Sequence, residues 1–168
     1  MCLEPPKLVQ AIDEKTPEGA VDKIATMIKA PEVPGQPPVS DISSVMMVVI
    51  DVSGSMHTPY IEGVVAHMRK IFTHAAIQEY NGCDFEASDR VSMAYYVKQY
   101  CSGKSGHIAV CVADFADNVD KNVSDYLYRS VKDSNNRLYL ITVDVKPFEG
   151  LQKLTEESGG RVFNMACH

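Results

Sequence analysis

The chain has neither an excess of basic residues nor a long apolar run. Its 16 Lys and Arg stand against 22 Asp and Glu, which gives a net charge of −6. Proteins that bind nucleic acid or an anionic membrane surface usually carry a basic footprint, which is lacking here. No apolar run approaches the length that crosses a bilayer. We therefore expect no nucleic-acid partner and no membrane contact.

The cysteines do not indicate a zinc site or a disulfide framework. The five of them form an odd set without a C-x-x-C pair, and paired spacing is the usual signature of both. Met1–Gln10 lacks the hydrophobic core of a signal peptide. These absences predict reduced thiols and an intracellular, cytoplasmic location.

The composition is that of an ordinary globular domain, with 45% hydrophobic and 23% charged residues in 168. We expect an N-terminal arm at residues 1–44 and a main domain at residues 45–168. In the arm, Thr16 can cap a helix, and a stiff Pro-rich linker follows at residues 31–38. The helix has one apolar face, formed by Val21, Ile24, Ala25 and Ile28. That face is expected to pack on the main domain; the alternative is a helix that binds a partner.

The main domain is organised around VMMVVIDVSGSM, residues 45–56. The apolar run Val45–Ile50 predicts a strand buried on both faces of a parallel sheet. Oxygen-bearing side chains follow at alternate positions: Asp51, Ser53 and Ser55. Gly54 would let this loop curl by adopting a positive φ, and open α/β sheets bind ligands at the carboxyl ends of their strands. Carboxylate and hydroxyl oxygens suit a hard cation such as Mg²⁺ or Mn²⁺.

Helical and strand patterns alternate through the rest of the chain. A helix is predicted from Pro59 to about Tyr80. Buried strands are predicted at His107–Ala113 and Leu138–Val145, with a helix between them that ends at about Ser134. A last helix and a last strand are predicted within residues 148–165.

Residues 89–101 fit two structures. The alternation of apolar residues in Val91–Val97 predicts a strand, whereas Ser88 or Asp89 could cap a helix. We favour the strand, because it would return the chain to the top of the sheet after the preceding helix. It would then lie beside the central strand. Only Lys98–Gly106 would connect it to the next parallel strand, which is shorter than such crossovers usually are.

Asp114 stands at the carboxyl end of the His107–Ala113 strand. If that strand runs parallel to Val45–Ile50, both strands end at the same edge of the sheet. Asp114 would then lie near Asp51. Two acids, two hydroxyls and water would make a reasonable octahedral site for Mg²⁺.

The order of these segments resembles the von Willebrand factor A-type (vWA) domain. Asp51-x-Ser53-x-Ser55 after an apolar strand is similar to the first loop of that family's metal-ion-dependent adhesion site, and Gly159-Gly160 is similar to the end of its last helix. The resemblance implies an α/β fold with a Rossmann-like, doubly wound, mostly parallel sheet flanked by helices. It also implies bound Mg²⁺ or Mn²⁺ and a protein partner whose acidic side chain completes the coordination. The implied metal ligands are Asp51, Ser53, Ser55 and Asp114.

The chain departs from the family pattern at two places. Phe115 stands where a glycine is usual, and the interval that should hold the metal-binding threonine loop shrinks to Lys98–Gly106. The leading interpretation is a metal-dependent interaction module. The alternative is a structural vWA-like domain without metal, which binds partners through its helices or its arm. A hydrolase with Asp51 as nucleophile is the third, but Ser53 stands where a second acid is needed, so we expect no enzyme.

Overall fold

A computed structural model describes residues 9–29, 42–82, 85, 91–114, 125–143 and 149–165. These residues form an α/β fold. The strands are β1 (Val9–Ile12), β2 (Met46–Asp51), β3 (Ala76–Tyr80), β4 (Ile108–Ala113), β5 (Arg137–Val143) and β6 (Val162–Met165). The helices are α1 (Pro17–Lys29), α2 (Pro59–Ile71), α3 (Met93–Cys101), α4 (Asp125–Ser130) and α5 (Glu149–Glu157).

The strands form one sheet in the order β1-β6-β5-β4-β2-β3, and every neighbouring pair is parallel. Helices α1 and α2 cover one face, while α3, α4 and α5 cover the other. The predicted Rossmann-like, doubly wound architecture is confirmed. So is the parallel pairing of β2 with β4, on which the nearness of Asp51 and Asp114 depends.

Strand β2 is buried along its whole length, as its apolar run predicts. Met46, Val48 and Ile50 belong to the core under α1 and α2. Met47 and Val49 belong to the core under the other three helices. Side chains of a strand alternate between its two faces, so a strand covered on both sides needs apolar residues on both faces.

The predicted helix from Pro59 to about Tyr80 is wrong in its second half. Helix α2 ends at Ile71, and Phe72 leaves the helical conformation with φ −96° and ψ 64°. The chain then turns and contributes β3, which pairs with β2 in parallel. Apolar spacing alone could not locate this end, because a buried residue such as Phe72 continues the stripe while its backbone leaves the helix. Pairing with β2 satisfies backbone groups that a central strand would otherwise leave without partners.

The predicted strand at Val91–Val97 is also wrong, and its helical alternative is correct in type. Ser92 caps α3, and its hydroxyl accepts a hydrogen bond from the backbone N–H of Tyr95 at 3.0 Å. The position beside β2 that we assigned to this strand is taken by β3. The connection to β4 therefore runs from residue 81 to residue 107 and contains α3. This is an ordinary crossover length, so the shortened interval inferred at Lys98–Gly106 does not exist.

The N-terminal helix is confirmed. The Thr16 hydroxyl accepts from the Gly19 N–H at 3.1 Å, and the predicted apolar face is buried in the core shared with α2. The Asp22 carboxylate lies 2.9 Å from Nε2 of His67 on α2.

No pattern in the sequence predicts β1, which pairs with β6 and extends the sheet. Residues before Ser44 thus supply an edge strand and a core helix. The division into an N-terminal arm at residues 1–44 and a main domain at residues 45–168 stays a prediction.

Candidate functional site

The four predicted ligands come together at the carboxyl edge of the sheet. Asp51 is the last residue of β2, and Asp114 directly follows β4. The Ser55 hydroxyl makes a short hydrogen bond to Oδ2 of Asp114. The Oγ atoms of Ser53 and Ser55 lie 3.4 Å apart. Parallel neighbouring strands thus bring together residues that are 59 positions apart in the chain.

The loop after β2 is shaped by its own hydrogen bonds rather than by an unusual glycine. The backbone N–H of Ser53 donates to Oδ1 of Asp51 at 2.8 Å, and that of Met56 donates to the Ser53 carbonyl at 2.9 Å. Gly54 begins a short 3₁₀ turn and is not among the residues with positive φ. The expectation that Gly54 needs a left-handed conformation is therefore wrong.

Asp51 is a buried carboxylate that is only half satisfied. The residue is 1% exposed. Its Oδ1 accepts from the N–H groups of Ser53 at 2.8 Å and Gly82 at 3.1 Å. Its Oδ2 is buried and has no hydrogen-bond partner among the described residues. Buried carboxylate oxygens are normally paired, so one that is not requires an explanation.

Burial raises the pKa of Asp51, because removal from water disfavours the charged carboxylate. The Ser53 and Gly82 N–H groups and the Ser53 side chain lower this pKa, and the negative charge of Asp114 raises it further. The net result is a pKa above the ordinary value of 3.8. A cation beside Oδ2 would oppose both effects that raise the pKa.

These residues fit a hard divalent cation. Oδ2 of Asp51, which has no hydrogen-bond partner in the described ranges, offers a charged oxygen, and Ser53, Ser55 and Asp114 offer two hydroxyls and a second carboxylate nearby. No group of three or more His, Cys, Asp or Glu side chains with metal-binding geometry exists in the described part of the chain. A cation here would thus have only two carboxylates from the described residues and would need water or a further ligand.

Two contributors to the site were missed at the sequence level. Gly82 contributes through β3, which places its N–H beside Asp51. The second contributor is His57. Its Nε2 lies 3.0 Å from the Val52 carbonyl, and its Nδ1 lies 3.4 Å from Oε1 of Glu62 on α2. His57 therefore links the loop to α2.

No family model, curated protein or solved structure matches the chain. Among the residues that the structure describes, no helix is long and apolar enough to cross a membrane.

Proposed function

We propose that this protein is a vWA-like interaction module that holds Mg²⁺ or Mn²⁺ at Asp51, Ser53, Ser55 and Asp114 and binds an acidic side chain of a protein partner. The observation that carries the proposal is the buried Oδ2 of Asp51, which lacks a hydrogen-bond partner among the described residues. A buried anion without a partner costs free energy. A cation would supply the missing partner.

The ligand set favours recognition of a carboxylate. Two of the four groups are neutral hydroxyls, so the two carboxylates balance the charge of a divalent ion without exceeding it, and the ion keeps its affinity for a further anionic oxygen. When bound, the ion would act as a Lewis acid with an open position for an anionic oxygen. The loop residues would hold and orient it, while the burial of Asp51 keeps bulk water from that carboxylate.

The hydrogen bond from Ser55 to Asp114 supports a second candidate. It satisfies both side chains without metal. In this metal-free candidate the edge of the sheet is a structural element, and partners bind through the helices or the N-terminal segment.

Titration with Mg²⁺ and Mn²⁺, followed by the backbone resonances of residues 51–56, distinguishes the two candidates. We expect saturable shifts with Mg²⁺ and paramagnetic broadening with Mn²⁺ at about 10⁻⁴–10⁻³ M or weaker, the weak end of protein sites for such ions. Ser53→Ala and Ser55→Ala should each weaken binding about tenfold without unfolding the protein. Ser105→Ala is the matched control, because Ser105 is exposed and precedes β4 at the opposite edge of the sheet.

Acetate provides the test of partner chemistry. It should bind more tightly when Mg²⁺ is present, and the gain should be lost in Asp51→Asn. If neither ion moves the resonances of residues 51–56 at tens of millimolar, the metal-free candidate takes first place.

A further inference from the structure

A cleft of about 300 Å³ lies beside the loop that carries Ser53 and Ser55. It opens between α2 and the carboxyl ends of β2 and β3. Its interior is mainly apolar and is formed by Ile50, Val52, Met56, Ile61, Val65 and Ala66. Most ligand pockets share this character, and the volume is at the small end of their range of roughly 300–1,000 Å³. A cleft of this size suits one large side chain rather than a nucleotide or an extended cofactor.

The polar groups at the rim of the cleft already face one another. Nη2 of Arg69 lies 2.7 Å from Oε1 of Glu79. Nδ1 of His57 lies 3.4 Å from Oε1 of Glu62. Both glutamates of the lining thus have a nitrogen partner within the cleft itself, and the third acid of the lining, Asp51, also belongs to the candidate metal site. A charged occupant would have to compete with these contacts, so the lining favours a neutral, apolar group.

The cleft and the candidate metal site share one loop. Val52, Met56 and His57 line the cleft, while Ser53 and Ser55, which lie between Val52 and Met56 in the sequence, carry the oxygens of the candidate metal site. A peptide bound at one place would therefore run close to the other, since each residue of an extended chain advances it by only about 3.3–3.6 Å.

We propose that this cleft receives a bulky apolar side chain, such as Phe or Leu, next to the acidic residue of the same partner segment. The inference rests on the proposed function, since it assigns the neighbour of the metal-bound carboxylate. The recognised chemistry is a carboxylate and a large apolar side chain at adjacent positions.

Two probes test the proposal. In metal-free buffer, the neutral probe p-cresol should shift the methyl resonances of Ile61 and Val65. With Mg²⁺ present, acetyl-Asp-Phe-amide or acetyl-Phe-Asp-amide should bind about tenfold or more tightly than acetyl-Asp-Ala-amide, the effect expected when an aromatic ring is removed from water.

A matched pair of variants localises the effect. Ala66→Phe places a ring in the cleft from an exposed position of α2, so it should abolish both the p-cresol shifts and the preference for Phe. Ala76→Phe introduces the same ring at an exposed position of β3 away from the cleft and should change neither. The Mg²⁺-induced shifts of Ser53 and Ser55 are recorded in the same samples and report on the metal site separately.

The outcomes separate the two proposals. If p-cresol leaves the cleft resonances unmoved, the cleft is not an apolar site and the inference is overturned, whatever Mg²⁺ does. If p-cresol binds but the peptides show no preference while Mg²⁺ shifts the loop, the link to the partner is overturned and the metal site stands. If Mg²⁺ does not bind, it is the proposed function that fails.

Discussion

Asn136 and Asp51 are two buried polar side chains at opposite edges of the same sheet, each about 1% exposed. Asn136 precedes β5 at the amino edge and uses both ends of its amide. Its Oδ1 accepts from the His107 N–H at 2.9 Å. Its Nδ2 donates to the carbonyls of Ser130, Lys104 and Cys101 at 2.8, 2.9 and 3.2 Å. Asp51 uses only one of its two oxygens within the described residues.

The difference separates a structural side chain from one that is available to a ligand. Asn136 ties the end of α3, the following loop and the end of α4 to the start of β5, and nothing remains on it for another molecule. A fully satisfied buried network rigidifies a fold. Asp51 has one carboxylate oxygen that makes no hydrogen bond within the described residues, and it lies at the edge where α/β sheets bind ligands. Burial alone therefore does not indicate a site; what supports the proposed one is the Asp51 oxygen that has no hydrogen-bond partner among the described residues.

Substitutions at the amino edge of the sheet should destabilise the protein more than substitutions at the carboxyl edge. The largest difference is expected between two glycines, one at each edge. A Cβ added at Gly160 would lie 1.7 Å from the Leu138 carbonyl oxygen in β5. At Gly54 a Cβ would meet nothing within 4 Å. Gly160→Ala should lower the free energy of unfolding by about 4 kcal/mol or prevent folding, whereas Gly54→Ala should change it by less than about 0.5 kcal/mol.

Thermal and urea unfolding of both variants provide the measurement, with circular dichroism to establish that the native fold is present. Equal midpoints for Gly54→Ala and Gly160→Ala would contradict the picture of a rigid amino edge facing an adaptable carboxyl edge.

Asn136→Ala should give the next largest effect, a loss of about 3 kcal/mol. It leaves three carbonyls and the His107 N–H without their partner, and each unpaired buried group costs about 1–3 kcal/mol before water relieves part of it. Asn136→Asp keeps the acceptor for His107 but removes the donors, so it should also destabilise the protein. A loss below 1 kcal/mol for Asn136→Ala in urea unfolding would show that Asn136 does not hold the amino edge together.

The sequence predicts the centre of the fold better than its edge. Strands β2 and β4 are covered on both faces, so their apolar runs are unambiguous, and the meeting of Asp51 with Asp114 follows from parallel pairing. Strand β3 is half-exposed at the edge of the sheet, so it carries little apolar signal and merges with the helical pattern before it.

Asp51 and Asn136 also differ in how well the sequence predicts their roles. Asp51 could be singled out because a carboxylate after a buried strand is conspicuous in a sequence. Asn136, inside the polar stretch Ser134–Arg137, resembles an ordinary loop residue, because two of the three carbonyls that it binds lie 32 and 35 positions away and meet it only in the folded chain. No sequence pattern could show that Oδ2 of Asp51 lacks a partner within the described part of the chain, since this depends on the positions of Ser53 and Gly82.

The smallest expected effect has the opposite sign. Asp51→Asn should raise the free energy of unfolding by about 1 kcal/mol at neutral pH without metal. A gain of this size is typical when a residue that is retained for function at a cost in stability is replaced. The amide retains an oxygen to accept from the Ser53 and Gly82 N–H groups but carries no buried charge. It should also lose the response to Mg²⁺, which separates stability from binding at a single position.

The pH dependence fixes the sign of this effect. Because the pKa of Asp51 is raised in the folded state, the folded protein binds this proton more tightly than the unfolded chain does. The contribution of Asp51 to stability is therefore fully present below the unfolded value of 3.8 and is lost as the pH rises through the folded pKa.

Urea unfolding from pH 3.5 to 7 provides the measurement. The free energy of unfolding of Asp51→Asn should increasingly exceed that of the unchanged protein as the pH rises. Saturating Mg²⁺ should narrow that gap, because it stabilises only the protein that retains the carboxylate. A variant that is less stable than the unchanged protein at pH 7 without metal would mean that the Asp51 carboxylate is a structural group like the Asn136 amide, and the contrast between the two edges would be lost.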